Sequence, residues 1–128
     1  MLTNTHNDNR RYLRIAETLP VRFRFSDRLD SLWHEAQTVN ISEGGMYLRT
    51  SNPLPEKKAI RLRFTLPLDT EEIEVTADVI RTEQLESQSE TEPGMAVRFT
   101  DISEEDRNRI RNYIECELTE DLKWDSGV

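Results

Sequence analysis

From Pro20 the run PVRFRF places Val21, Phe23 and Phe25 on one side of an extended chain and Arg22 and Arg24 on the other, the alternation of a half-buried strand. Residues 26–31, SDRLDS, read as a turn. Residues 32–41, LWHEAQTVNI, predict a second strand; SEGG at 42–45 interrupts it with two glycines before MYLRT resumes an extended pattern. After Pro53 and Pro55, Ile60, Leu62, Phe64 and Leu66 alternate with Arg61, Arg63 and Thr65 as a fourth strand. Glu72 to Arg81 repeats the scheme with Ile73, Val75, Ala77 and Val79 facing inward. A polar, acidic loop over 82–94 leads to a sixth strand, Met95 to Phe99. Short, evenly spaced strands separated by turn residues predict an all-β fold, a six-stranded antiparallel barrel, because closing a sheet removes its exposed edges.

At Ser103 the period changes. Ser103 and Asp106 have the spacing of a capping box, and Ile110, Tyr113, Ile114 and Leu118 recur at helical intervals. One C-terminal amphipathic helix is expected to cover a barrel opening or flank, with Arg107, Arg109 and Arg111 turned to water. The organisation expected is a mobile polar tail over 1–8, one domain over 9–118 and a C-terminal tail over 119–128. One core is what 128 residues support, since two halves would each approach the lower size limit of a self-sufficient domain.

Composition narrows the possibilities. No apolar run nears the ~20 residues of a membrane-spanning helix, and MLTNTHNDNR has no apolar segment of the secretory kind, so a cytoplasmic protein without a membrane span is expected. The single cysteine, Cys116, has no internal disulfide partner and fits a reducing compartment. The net charge of −8 argues against non-specific nucleic-acid binding. Its distribution is uneven: residues 1–24 hold Arg10, Arg11, Arg14, Arg22 and Arg24 against Asp8 and Glu17, whereas 69–106 holds thirteen acids against Arg81 and Arg98. Of 17 basic residues 14 are arginine, whose planar fork of donors suits phosphate, carboxylate or a guanine edge. A small anionic ligand near the N-terminus follows from that pattern.

Catalytic chemistry finds no support. His6 and His34 neighbour no nucleophile in a recognisable arrangement, and two histidines and one cysteine at 6, 34 and 116 lack metal-ligand spacing. No phosphate-cradling glycine loop of the GxxxxGKS or GxGxxG kind is present. The chain is therefore read as a non-enzyme without cofactor or metal. Trp33 and Trp124 are assigned to packing rather than to a site.

Two clusters remain. NRRYLR at 9–14 sets Arg10 and Arg14 four apart, and NISEGG at 40–45 sets Asn40 and Ser42 on one side of an extended chain ahead of paired glycines. Each alone also fits a duller reading, surface charge for the first and a locally hydrogen-bonded turn for the second. In this order, with PVRF after the arginines, GGMYL after the turn and GMAVRF at 94–99 before a helix, they resemble the PilZ domain family, whose signature is RxxxR followed by [DN]xSxxG. The resemblance covers roughly residues 9–117. It implies a six-stranded antiparallel barrel of split-barrel type that binds the bacterial second messenger cyclic di-GMP at one end, the arginine segment wrapping over the nucleotide.

On that resemblance the ligand-binding residues are Arg10, Arg14, Asn40, Ser42 and Gly45, with Arg11 and Arg49 as further candidates. Arginine forks pair with phosphate, chelate guanine O6 and N7 or stack on a base. Asn40 and Ser42 offer polar groups to guanine edges, and Gly45 gives room for a base and lets the loop turn. Arg49 shares parity with Gly45 and is placed at the same barrel end. The receptor then works through an unidentified effector protein, ordering of the N-terminal arm being the signal. The alternatives are a barrel of the same fold that acts as a protein adaptor without nucleotide, and a small barrel that binds single-stranded nucleic acid, against which the net charge speaks.

Overall fold

In a computed structural model of the chain the described residues are 13–26, 32–67, 69–83 and 93–126, with side chains described through Thr119. Their elements run β1 (Arg14–Ala16), β2 (Pro20–Phe25), β3 (His34–Ser42), β4 (Gly45–Arg49), β5 (Ala59–Phe64), β6 (Ile73–Glu83), β7 (Gly94–Asp101) and α1 (Glu104–Ser126). Every strand pairing is antiparallel. Around the ring β3, β2, β5, β6, β7 and β4 follow one another, and the β3–β4 pairing closes it as a six-stranded barrel. The expected fold is therefore the observed one. The predicted alternation seats Phe23, Ile41, Leu48, Ile60, Leu62, Ile73 and Met95 in the interior, all at 0% exposure.

The strand β1 was not anticipated, because three residues are too few to show a period. It lies beside the C-terminal half of β3, with Arg14 opposite Ser42, while β2 takes the N-terminal half of β3. Buried Thr38 stitches the joint between β1 and β2. Its Oγ1 accepts the Leu19 N–H at 2.8 Å and donates to the Glu17 carbonyl, and its own N–H donates to the Leu19 carbonyl at 2.9 Å. Four polar groups that the break between β1 and β2 would otherwise orphan are thereby satisfied. The consequence for function is that Arg14 sits on a hydrogen-bonded strand, and the expected mobile arginine arm does not include it. Arg10, Arg11 and the 1–8 tail lie outside the described residues.

The helix begins where the capping pattern placed it, Ser103 Oγ accepting the Asp106 N–H at 3.0 Å. Glu104, Glu105 and Asp106 fill the first turn, where the helix dipole favours negative charge. Ile110 and Ile114 are buried in the core, with Tyr113 and Leu118 packed against it. The helix runs on through Ser126, into the segment expected as a tail. Nor do its arginines simply face water. Arg109 bonds Asp69 at 2.9 Å, Asp106 at 2.9 Å and the Glu71 carbonyl at 2.7 Å, tying α1 to the β5–β6 connection. Burial lowers the Arg109 pKa, but those two carboxylates outweigh it and the net shift is upward. Tyr113 donates to the Glu17 carboxylate; burial first, then that carboxylate, pushes the phenol well above its ordinary range. Among the described residues no helix is long and apolar enough to cross a membrane.

Candidate functional site

The NISEGG segment forms the end of β3, a tight hairpin and the start of β4. Ser42 is buried, and its hydroxyl accepts the Gly44 N–H at 3.2 Å and donates to the Gly45 carbonyl at 3.3 Å, so the side chain builds the turn. No described glycine has a positive φ. Gly45 is required instead by close packing: a Cβ there would stand 2.2 Å from the Val97 carbonyl oxygen of β7. The turn-making role expected of this glycine is thus replaced by a spacing role in the sheet, which the sequence motif alone does not distinguish.

Glu43, at the hairpin tip, is held by α1. Arg111 Nε donates to its Oε1 at 2.8 Å and Nη2 to its Oε2 at 2.9 Å, a two-point fork. The Arg111 bonds, reinforced by the charges of Arg111 and Arg107, hold the Glu43 carboxyl below its ordinary value although burial works the other way. One turn earlier on the same helix, Arg107 reaches the hairpin's other side.

There a groove of about 690 Å³ opens. It is lined by Arg14 of β1, Asn40 and Ser42 of β3, Gly44 and Gly45, Ile80 and Arg81 of β6, Arg98 of β7 and Arg107 of α1, among others. Arg14 Nη1 donates to Asn40 Oδ1. Although Arg14 as a whole is open to solvent, partial desolvation of its head group lowers its pKa. Arg81 lies over the Tyr47 ring, 5.7 Å from its centroid, and pairs with Glu83 at 3.3 Å. Tyr47 donates to Glu83 at 3.0 Å; burial, then that carboxylate, raises its pKa. The groove is thus an arginine-rimmed recess in a chain of net charge −8.

Of the residues expected at the site, Arg14, Asn40, Ser42 and Gly45 come together here. Arg10 and Arg11 lie outside the described residues. Arg49 does not join them: it sits at the far end of β4, donates to Gln37 at 2.9 Å and lines a different groove with Arg22 and Arg63. Shared parity put it on the right face of the strand, but four residues of extended chain carried it to the wrong end. Sequence reasoning missed Arg81, Arg98 and Arg107. The available signal was that Arg81 and Arg98 are the only bases among thirteen acids between 69 and 106 until Arg107 follows; their meeting at Gly45 depends on a register that puts Arg98 opposite it. His34 stacks on Phe23 with centroids 5.4 Å apart, a packing role. Among the described residues no group of His, Cys, Asp or Glu has the makings of a metal site.

Comparison with known proteins adds an independent line. A family model described as PilZ domain matches residues 8–116. Among solved structures, the Bacillus subtilis inhibitor of motility (MotI/DgrA) superposes with a TM-score of 0.70 at 22% identity, over 85% of this chain and 51% of that one. The chain therefore spans about half the length of that protein. The PilZ domain of YcgR from Escherichia coli, solved with c-di-GMP, gives a TM-score of 0.66 at 17% identity, over 94% of this chain and 98% of that one. The PilZ domain of CeSA from a cellulose-synthesizing bacterium gives 0.61 at 22% identity, over 82% and 98%. At these identities the likeness is one of fold. No curated protein matches the chain.

Proposed function

The chain belongs to the PilZ domain family, and from that premise we propose that it is a receptor for cyclic di-GMP that passes its state to an effector protein by contact. The observation that carries this reading is the convergence of Arg14, Asn40, Ser42 and Gly45 on one arginine-rimmed groove. Relatives with the same barrel, the YcgR domain among them, hold c-di-GMP in their structures. The ligand carries two phosphate charges and two guanines, so arginine forks answer one half of its chemistry and short polar groups the other. Asn40 positions the Arg14 guanidinium, and Ser42 fixes the hairpin that carries Asn40. Arg10 and Arg11, ahead of β1, supply the remaining arginines of the RxxxR segment. Their closure over bound nucleotide alters the surface offered to the effector.

Three or four charge-assisted hydrogen bonds at roughly 1.5–3 kcal/mol each, less the ordering of a short arm, fit micromolar binding, about −8 kcal/mol. No catalytic step and no cofactor enter this reading. Isothermal titration with cyclic di-GMP, with GTP as control, tests it. Saturable binding that GTP does not reproduce is the expected result. No heat and no ligand-induced rise in melting temperature, at concentrations well above micromolar, would overturn it in favour of a nucleotide-independent adaptor.

A further inference from the structure

The RxxxR and NxSxxG residues account for one side of the groove. The opposite side is built by β7 and α1, and it too carries arginines. Arg98 is exposed on β7 directly across from Gly45, and among the described residues no carboxylate bonds its side chain. Arg107 enters from the first turns of α1 and lines the same recess. Its position there is fixed by the fork between Arg111 and Glu43, which pins α1 to the hairpin tip. That fork also engages both oxygens of Glu43, the acidic residue nearest the glycine turn, and holds its charge on the helix side.

Resting on the receptor reading, we propose that Arg98 and Arg107 form a second anion seat that takes the phosphate of cyclic di-GMP not held by Arg14, making α1 a part of the ligand site. The cyclic dinucleotide carries its two phosphates on opposite sides of one ring, so a groove that recognises it needs positive charge on two walls. Arg14 stands on the β1–β3 wall and Arg98 with Arg107 on the β7–α1 wall, the Ser42–Gly45 hairpin between them. In a chain with an excess of eight negative charges, a seat left unbuilt on the second wall would leave one phosphate facing a net repulsive field. Ligand charge then bears on Arg107, and through the helix on Arg111 and Glu43, so occupancy is felt along α1.

The full-length Arg98→Ala/Arg107→Ala variant tests this, beside each single change and Arg107→Lys, by titration with cyclic di-GMP and by phosphorus NMR of the bound ligand. The expected result is a fivefold to tenfold loss of affinity for each single alanine change, at least twentyfold for the pair, and partial recovery with Arg107→Lys. One bound phosphorus resonance should return towards its free position while the other stays, with the melting temperature unchanged. Affinity within twofold of the parent, or both resonances moving together, overturns the proposal while leaving the receptor reading intact. A parent protein that binds no cyclic di-GMP overturns both, so the two failures are told apart by the parent titration.

Discussion

The groove and the outer face of β2 and β5 are both rich in arginine, and they use it in opposite ways. On the sheet face Arg22 stands opposite Arg63 and Arg24 opposite Arg61, like charges in cross-strand register that would repel if left alone. Carboxylates on the flanks offset part of that repulsion: Glu74 pairs with Arg61 at 2.6 Å and Arg63 at 3.2 Å, and Glu72 with Arg22 at 3.2 Å. Burial raises the Glu74 carboxyl, but the two guanidiniums overcome that and leave it below its ordinary value. Trp33 underlies the cluster, its ring centroid 4.3 Å from the Arg63 guanidinium and 4.9 Å from that of Arg24. In the groove Arg14 meets a neutral amide and Arg98 meets no described carboxylate. Arginine content alone therefore says little about where an anion binds; what counts is whether the local carboxylates already satisfy the guanidiniums.

The sharpest way to break this contrast is to remove one arginine from each region. Arg14→Ala should lower cyclic di-GMP affinity about a hundredfold or more, the loss of two charge-assisted bonds at roughly 1.5 kcal/mol or above each. Its melting temperature should stay within a degree or two, since Arg14 is open to solvent. Arg63→Ala should do the reverse, leaving affinity within twofold and lowering the melting temperature through the loss of one of Glu74's two guanidinium partners and the uncovered Trp33. Parallel titrations and thermal melts of the two variants read both quantities. Equal losses of affinity would mean that the whole arginine field, not the groove, holds the nucleotide.

A second test separates the motif's glycine from its ligand chemistry. Gly45→Ala should cost about 2 kcal/mol or more, because the added methyl collides with the Val97 carbonyl across the β4–β7 pairing and backbone must move. A fall of around 10 °C in melting temperature, at ~3–6 °C per kcal/mol for a domain of this size, should appear without any nucleotide present. An unchanged melting temperature with weakened binding would return Gly45 to the role of making room for a base.

These cases show what the sequence made legible. Period-two alternation in PVRFRF and RLRF, and the switch to helical spacing at Ser103, carried the barrel and the helix because burial of one face is a local property of the chain. The pairing of RxxxR with NxSxxG pointed to Arg14, Asn40, Ser42 and Gly45 through likeness to a family signature rather than through burial, and these four line one groove. What stayed hidden depends on long-range register. Arg111 finds Glu43 across 68 positions, and Arg109 finds Asp69 across 40, so two arginines read as solvated are structural ties. Arg98 enters the site because β7 aligns it with Gly45, and Arg49 leaves it because β4 runs away from the hairpin. The three residues of β1 were too few to announce themselves.

Acid should expose the hairpin tie as a smaller effect. The folded-state pKa of Glu43 lies below its ordinary value of 4.5, chiefly through its bond to Arg111. A group whose pKa is depressed on folding stabilises the fold above the unfolded value, and that contribution disappears as pH falls through the folded value. Thermal melts from pH 6 down to pH 3 should therefore show the parent losing a few degrees more than Glu43→Gln, with the difference confined below about pH 4.5. Parallel curves would show that the Arg111 fork contributes nothing to stability, and that α1 is held by Ile110, Ile114 and the Arg109 ties alone.

The smallest expected effect comes from making the groove more like the sheet face. Asn40→Asp turns the neutral acceptor of Arg14 into a carboxylate, and two consequences oppose each other. The new charge competes with phosphate for Arg14; an ion pair open to solvent is worth about 0–1 kcal/mol, so the competition is mild. Against it, a carboxylate accepts from the N1 and N2 donors of guanine together, where an amide has one acceptor oxygen. Hydrogen bonds to a charged group exceed those to a neutral one by roughly 1 kcal/mol, so recognition of the base should win, tightening cyclic di-GMP about threefold to fivefold in a side-by-side titration. A weaker complex would teach the opposite lesson, that Asn40 is there to hold the Arg14 guanidinium without neutralising it, and the contrast between Arg14 in the groove and the carboxylate-flanked arginines of the sheet face would then rest on this one amide.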